Sequence, residues 1–192
     1  MSGFLSQAGT FLIQVVFGFY ILAVLLRLLL QLVRADFYNP ISQFLVALTN
    51  PPLVPLRRVI PGLYGIDLAS VLLLVVLKSI ELFLVFALRD RYLPGGSFLL
   101  LAVSELLTLA CYVFLFTVII RVLMSWFAPF GSRHNPAAEL LYALTEPVLR
   151  PARRLIPAIG GLDLSPIVVL VVLQISIMFI EHLTAELLRL TL

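Results

Sequence analysis

The side chains of this sequence that could do chemistry are two arginine pairs, a lysine with two glutamates, two histidines and one cysteine. The arginine pairs stand in near-copies. Residues 55–67 read PLRRVIPGLYGID and residues 151–163 read PARRLIPAIGGLD, identical at seven of thirteen positions and 96 residues apart. Arg57, Arg58, Arg153 and Arg154 could hold anionic lipid headgroups or an acidic partner, at about 1 kcal/mol per charge near an anionic leaflet. The plainer alternative is that they only set orientation, as basic loops do in any membrane protein. Lys78 has Glu81 three residues on, close enough to pair along a helix, and Glu105 within reach from a later segment. These three form either a structural ion pair or the polar core of an ion or proton pathway. His134 and His182 lack a metal-spaced partner, Cys111 stands alone, and no serine sits in a nucleophile motif. The residues ask for no cofactor and no metal, and they describe no enzyme.

The elements that must position these residues follow from composition. Hydrophobic residues make up 62% of the 192 and charged ones 12%, too oily for a water-soluble domain. Four stretches, about 11–33, 68–88, 98–127 and 164–188, exceed the roughly 20 apolar residues that cross a bilayer. Hydrocarbon offers no partner to backbone N–H and C=O groups, so each must be an α-helix. The first run has no Lys or Arg before it and is too long for the core of a cleaved signal, so it is read as a retained span. Twelve arginines and one lysine scattered among apolar spans make no phosphate-tracking stripe, so no nucleic-acid contact is derivable from the sequence. The expected fold is an all-α membrane protein with four transmembrane helices.

The near-copies are part of a longer duplication. Asn39-Pro40 matches Asn135-Pro136, and Thr49 with Pro51 matches Thr145 with Pro147. Pro61, Gly65 and Asp67 match Pro157, Gly161 and Asp163. Arg27 matches Arg121 at a spacing of 94. The chain therefore divides into a first repeat, 1–96, and a second, 97–192, each a span, a loop and a span. Two spans per unit make the repeats parallel, with both loops on one membrane face. That face carries seven arginines and the other three, which places the loops in the cytoplasm and both termini outside.

Within each loop, Asn39 and Asn135 suit a helix N-cap and the following prolines suit the first helical position. Ile41, Phe44, Leu45 and Leu48 then form one apolar face, repeated by Ala137, Leu140, Leu141 and Leu144. The expectation is a helix of about ten residues lying at the interface, ended by the prolines that follow. Asp67 and Asp163 stand where a carboxylate can cap the next span. Arg27 and Arg121 lie roughly 8–9 Å below the loop end of their spans. From there they either snorkel to the surface or donate to the loop backbone or a carboxylate, fixing the hairpin. Lys78 lies about 15 Å into its span, near the midplane. Its counterpart in the second repeat is Gln174.

This order of motifs resembles the YggT family, also called YlmG-like, of small bacterial and chloroplast integral membrane proteins. The second repeat carries the full pattern: Arg121, Ser125-Trp126, Asn135-Pro136, Thr145, Pro147, Pro151, Arg153-Arg154, Ile156-Pro157, Gly161 and Asp163-Leu164-Ser165-Pro166-Ile167. The first departs from it, with Gln31-Leu32 in place of Ser-Trp and Ala69-Ser70 in place of Ser-Pro. The resemblance implies a protein of the bacterial cytoplasmic membrane, linked to tolerance of osmotic stress. Plastid relatives are linked to cytochrome haem attachment and nucleoid distribution. The family brings no catalytic residues. Together with the residues, it points to a scaffold or assembly protein that recruits anionic lipid, membrane-protein partners or copies of itself through the basic loops. The alternative is a small oligomeric channel or transporter-like protein, with Lys78, Glu81 and Glu105 at its polar core.

The charge asymmetry predicts the topology directly. Reporters fused after Leu192 and within residues 91–97 should read outside, and one near His134 should read cytoplasmic. The reverse pattern would remove the anionic leaflet from beneath the arginine pairs.

Overall fold

Apolar runs with no outside hydrogen-bond partner become helices, and all regular elements among the described residues are helical. A computed structural model describes residues 2–63, 65–89, 95–127, 135–155 and 163–191. The elements are α1 (Ser2–Leu32), α2 (Pro40–Val59), α3 (Leu68–Leu88), α4 (Gly95–Phe127), α5 (Pro136–Leu155) and α6 (Ser165–Thr191). Helices α1, α3, α4 and α6 are long and apolar enough to cross a membrane.

Packing follows the repeat. Within the first, α1 lies against α3 with α2 across the loop end; within the second, α4 lies against α6 with α5 in the same role. The two units meet where α3 packs on α4 and where α5 touches α1 and α2. The main core gathers Ile21, Val24, Leu28, Leu53, Leu73 and Leu74 around the second half of α1. A smaller cluster of Val118, Leu149, Ala152 and Val169 serves the second unit. At the end of the spans away from the loops, the Ser6 hydroxyl donates to the Leu88 carbonyl at 2.7 Å, satisfying an acceptor that the end of α3 leaves open. Phe98 stacks edge-on to Phe86 at 5.7 Å and joins α3 to α4. Phe11, Phe19, Ile175 and Phe179 stay exposed on the spans, as lipid-facing side chains must.

The loop helices differ from expectation in length. Each runs for 20 residues, through Pro51, Pro52 and Pro55 in α2 and through Pro147 and Pro151 in α5. A proline inside a helix costs about 3 kcal/mol through its lost N–H and its clash with the carbonyl four residues back. Here Pro51, Pro55, Pro147 and Pro151 are all on the exposed side, so the carbonyls they disturb open outward. The inward stripe, meanwhile, continues unbroken across them. In α2 that stripe is Ser42, Leu45, Thr49 and Leu53; in α5 it is Leu140, Leu144, Thr145, Leu149 and Ala152. Of the apolar face read by spacing, Leu45, Leu140 and Leu144 are buried against the spans, while Ile41, Phe44 and Ala137 are exposed. The inward stripe carries a buried threonine, Thr49 or Thr145, among its leucines.

Both helix starts agree with the cap chemistry. Asn39 Oδ1 accepts from the Ile41 N–H and Asn135 Oδ1 from the Ala137 N–H, each at 3.0 Å. Asn39 does more: its amide donates to the Pro136 carbonyl at 2.8 Å, tying the start of α2 to the start of α5. Helix α1 ends in a Schellman turn, with Ala35 N–H on the Leu30 carbonyl and Arg34 N–H on the Gln31 carbonyl. The left-handed position of that turn holds Arg34, at φ 55°, where glycine is the usual residue and an L side chain costs roughly 1–2 kcal/mol. After α2, Leu63 and Ile66 exchange both backbone hydrogen bonds, and Gly65 takes φ 86° to close that turn.

Candidate functional site: the braced loop elbows

An arginine near the loop end of a span needs acceptors, and in each unit it finds a threonine on the loop helix. Arg27 is buried, and its Nη1 donates to Thr49 Oγ1 at 2.6 Å and to the Val46 carbonyl at 3.5 Å. Arg121 Nη1 donates to Thr145 Oγ1 at 2.7 Å, and its guanidinium lies 4.4 Å over the Tyr142 ring. Each threonine is fully buried and passes its own proton back to the helix, to Leu45 O and Leu141 O at 2.6 Å. The arginines thus turn inward and hold the loop helix rather than reach for the surface.

The second brace joins the loop helix to the returning span. Arg57 Nε donates to Asp67 Oδ2 at 3.0 Å, with its Nη2 on the same oxygen. Ser70 Oγ donates to that oxygen too, at 2.5 Å. Arg153 Nε donates to Asp163 Oδ2 at 2.9 Å, while Asp163 Oδ1 accepts from the Ser165 N–H and caps α6. Burial works against the Asp67 charge, but hydrogen bonds from Arg57 and Ser70 outweigh it and hold the carboxyl below its usual range. Asp163 is held low in the same way, against burial, by Ser165 and Arg153. The hydrogen bond to Asp163 in turn raises the Arg153 guanidinium.

The two elbows differ at one position. Glu146 accepts from Arg121 at 3.1 Å and from Arg153 at 3.2 Å, so the second elbow carries its own anion between its two arginines. Burial opposes the Glu146 charge, but those contacts outweigh it and hold the carboxyl below the ordinary range. The first elbow has Asn50 at the matching place. Sequence reading passes over Glu146 and Ser42 and gives Ser70 no role; the signal available is the mismatch of Asn50 with Glu146 inside an otherwise matched stretch. In each pair the outer arginine, Arg58 or Arg154, is exposed and has no ion pair among the described residues. Beneath each elbow lies a pocket, of 670 Å³ in the first unit and 650 Å³ in the second. Pro157 and Gly161 lie outside the described residues, and Trp126 is placed only as part of α4.

Away from the elbows, the charges within the spans come together. Lys78 Nζ lies 3.0 Å from Glu81 on its own helix and 2.7 Å from Glu105 on α4. They line a 660 Å³ pocket bounded by all four spans, with Gln14 of α1 and Glu181 of α6. His182 is exposed and does not line that pocket, and His134 lies outside the described residues. Among the described residues, no three His, Cys, Asp or Glu side chains group as a metal site would require.

The chain matches the CCB3/YggT family over residues 6–88 and 100–184, one segment in each unit. It is 45% identical to an uncharacterised protein of Pseudomonas aeruginosa over 94% of this chain and 92% of that one. It is 38% identical to the uncharacterised protein YggT of Escherichia coli over 86% of this chain and 85% of that one. A shorter match, 40% identical over 31% of this chain and 33% of the other, is to the chloroplastic protein CCB3 of Arabidopsis thaliana, named for cofactor assembly of complex C. No solved structure matches.

The depressed carboxyls fix a pH response. Asp67, Glu146 and Asp163 contribute stability in full above their unfolded values, about pH 4, and lose it as pH falls through the lower folded ones. The melting temperature of the full chain in a neutral detergent should therefore be level from about pH 8 to 5 and drop below about pH 4. Glu146→Gln should shrink the drop. A melting temperature unchanged down to about pH 2 would show that the carboxylates do not brace the elbows.

Proposed function

The chain belongs to the CCB3/YggT family, and from that premise we propose that it is a non-enzymatic scaffold or assembly factor of the bacterial cytoplasmic membrane. In this reading the loops face the cytoplasm, both termini lie outside, and the elbows are the contact points for anionic lipid or membrane-protein partners. The observation that carries it is the division of work within each arginine pair. Arg57 and Arg153 are committed to Asp67 and Asp163, so the elbow is stiff; Arg58 and Arg154 are exposed on its outer side with no ion pair among the described residues. A rigid turn that holds one cation still and presents the next suits recruitment, because little side-chain and backbone freedom is lost when a partner docks. The name of the Arabidopsis relative supports the assembly part of the reading. Tolerance of osmotic stress is the cellular role the reading assigns.

A second reading, a small oligomeric channel or transporter-like protein, is favoured by the Lys78, Glu81 and Glu105 cluster in its pocket among four spans. Ionisable groups at that depth ordinarily face a bundle interior or water. Four spans leave little room for a pore inside one chain, so this reading needs several copies.

One complementation experiment separates the two. In a deletion strain under osmotic shift, Arg58→Gln with Arg154→Gln should fail to restore growth although the protein accumulates in the membrane. Lys78→Gln with Glu81→Gln should restore it. Full rescue by the elbow variant removes the recruitment reading, and failure of the midplane variant with normal accumulation moves the assignment to conduction.

A further inference from the structure

The pocket under the first elbow is a phosphate site, we propose, built from Arg27, Arg34 and Arg57 around the buried hydroxyl of Ser42. It rests on the membrane placement of the loops but not on the scaffold role. The three arginines face one carboxylate, Asp67, among the pocket's charged groups. Asp67 is already engaged by Arg57 and Ser70. Ser42 is only 7% exposed, lines the same pocket, and its Oγ has no hydrogen-bond partner among the described residues. A buried hydroxyl without a partner is costly, and such groups in folded proteins call for a missing acceptor or donor. A phosphate oxygen supplies that acceptor, and its charge is what three guanidinium groups recognise.

The duplication acts as an internal control. In the second unit Glu146 sits between Arg121 and Arg153, and Ala138 replaces Ser42. That unit supplies its own anion and has no hydroxyl at the Ser42 position; its buried hydroxyl without a partner, Ser165, lies instead at the start of α6. The first unit has Asn50 and Ser42 at these places, so the anion comes from outside. Arg34 has no matched arginine in the second unit, and it is held toward this site in the left-handed turn at the end of α1. Leu30, Phe37 and Ile66 give the pocket apolar walls at the loop end of the spans, which suits the phosphate of a phospholipid headgroup over a free ion.

The test uses the full chain in maltoside micelles, which contain no phosphate. Added phosphatidylglycerol should raise the melting temperature of the unmodified protein, and diacylglycerol should not. Arg34→Gly removes a guanidinium while relieving the left-handed backbone, so it should melt no lower than the unmodified chain without lipid. Its apparent affinity for phosphatidylglycerol should fall at least about tenfold, the loss of one charge-assisted hydrogen bond. Asn50→Glu should place the second unit's carboxylate in the first, raising the lipid-free melting temperature and abolishing the lipid response. Arg58→Gln with Arg154→Gln should leave the response in place, which separates this site from the elbow surface. Inorganic phosphate that reproduces the shift would identify a soluble phosphate as the ligand; a shift seen only with phosphatidylglycerol would identify the headgroup. No shift with either, or an undiminished shift in both Arg34→Gly and Asn50→Glu, overturns the proposal.

Discussion

A guanidinium carried on the last turns of a membrane span must be met by acceptors, and the position of each loop helix follows from how this is done. Lipid tails are as apolar as leucine, so apolar contact alone gives helices in a bilayer little reason to choose one neighbour over another. Arg27 on Thr49 and Arg121 on Thr145 supply the choice. Each brace fixes which face of the loop helix turns inward, which brings Leu53 and Leu149 to fully buried positions and leaves Pro51, Pro55, Pro147 and Pro151 outside. The second brace, Arg57 on Asp67 and Arg153 on Asp163, then sets where the returning span begins. Two polar contacts per unit thus determine a hairpin whose remaining surface is mostly interchangeable hydrocarbon.

Duplication preserved those braces and let their surroundings diverge. Both threonines, both aspartates and both inner arginines occupy matching places, while Asn50 against Glu146 and Ser42 against Ala138 do not. The difference is one of charge balance. The second elbow is internally neutralised, with Glu146 bonded to two arginines, and the first keeps an excess of positive charge around its pocket. Parallel units of one ancestry therefore present different chemistry on the same face. The same holds at midplane, where Lys78 is paired with two glutamates and Gln174 of the second unit is exposed.

Much of this is legible in the sequence because hydrocarbon narrows the options. The α3 span can be read to the residue, and the helix starts at Asn39 and Asn135 follow from cap chemistry alone. The repeat is visible because it is written in rare residues. What the sequence hides are contacts settled by tertiary geometry. Proline at 51, 52 and 55 reads as a stop, and only the buried stripe on the opposite side carries α2 past it. Ile41, Phe44 and Leu45 share an apolar face by spacing, but only Leu45 of the three is buried against the spans. Glu146 looks like an ordinary loop carboxylate, because its two arginine partners are 25 and seven residues away.

The hydrogen bond from Asn39 to the Pro136 carbonyl has a consequence for the fusion itself. One amide side chain caps its own helix with its oxygen and reaches the other unit with its nitrogen. Were the two units separate molecules, that contact would depend on their abundance and would weaken as they were diluted in the bilayer. Joined in one polypeptide, the partner carbonyl is present at a fixed effective concentration whatever the expression level. Tethering thus converts a meeting governed by mass action into a permanent feature of the chain, and frees the second copy to change its charges without risking the pairing.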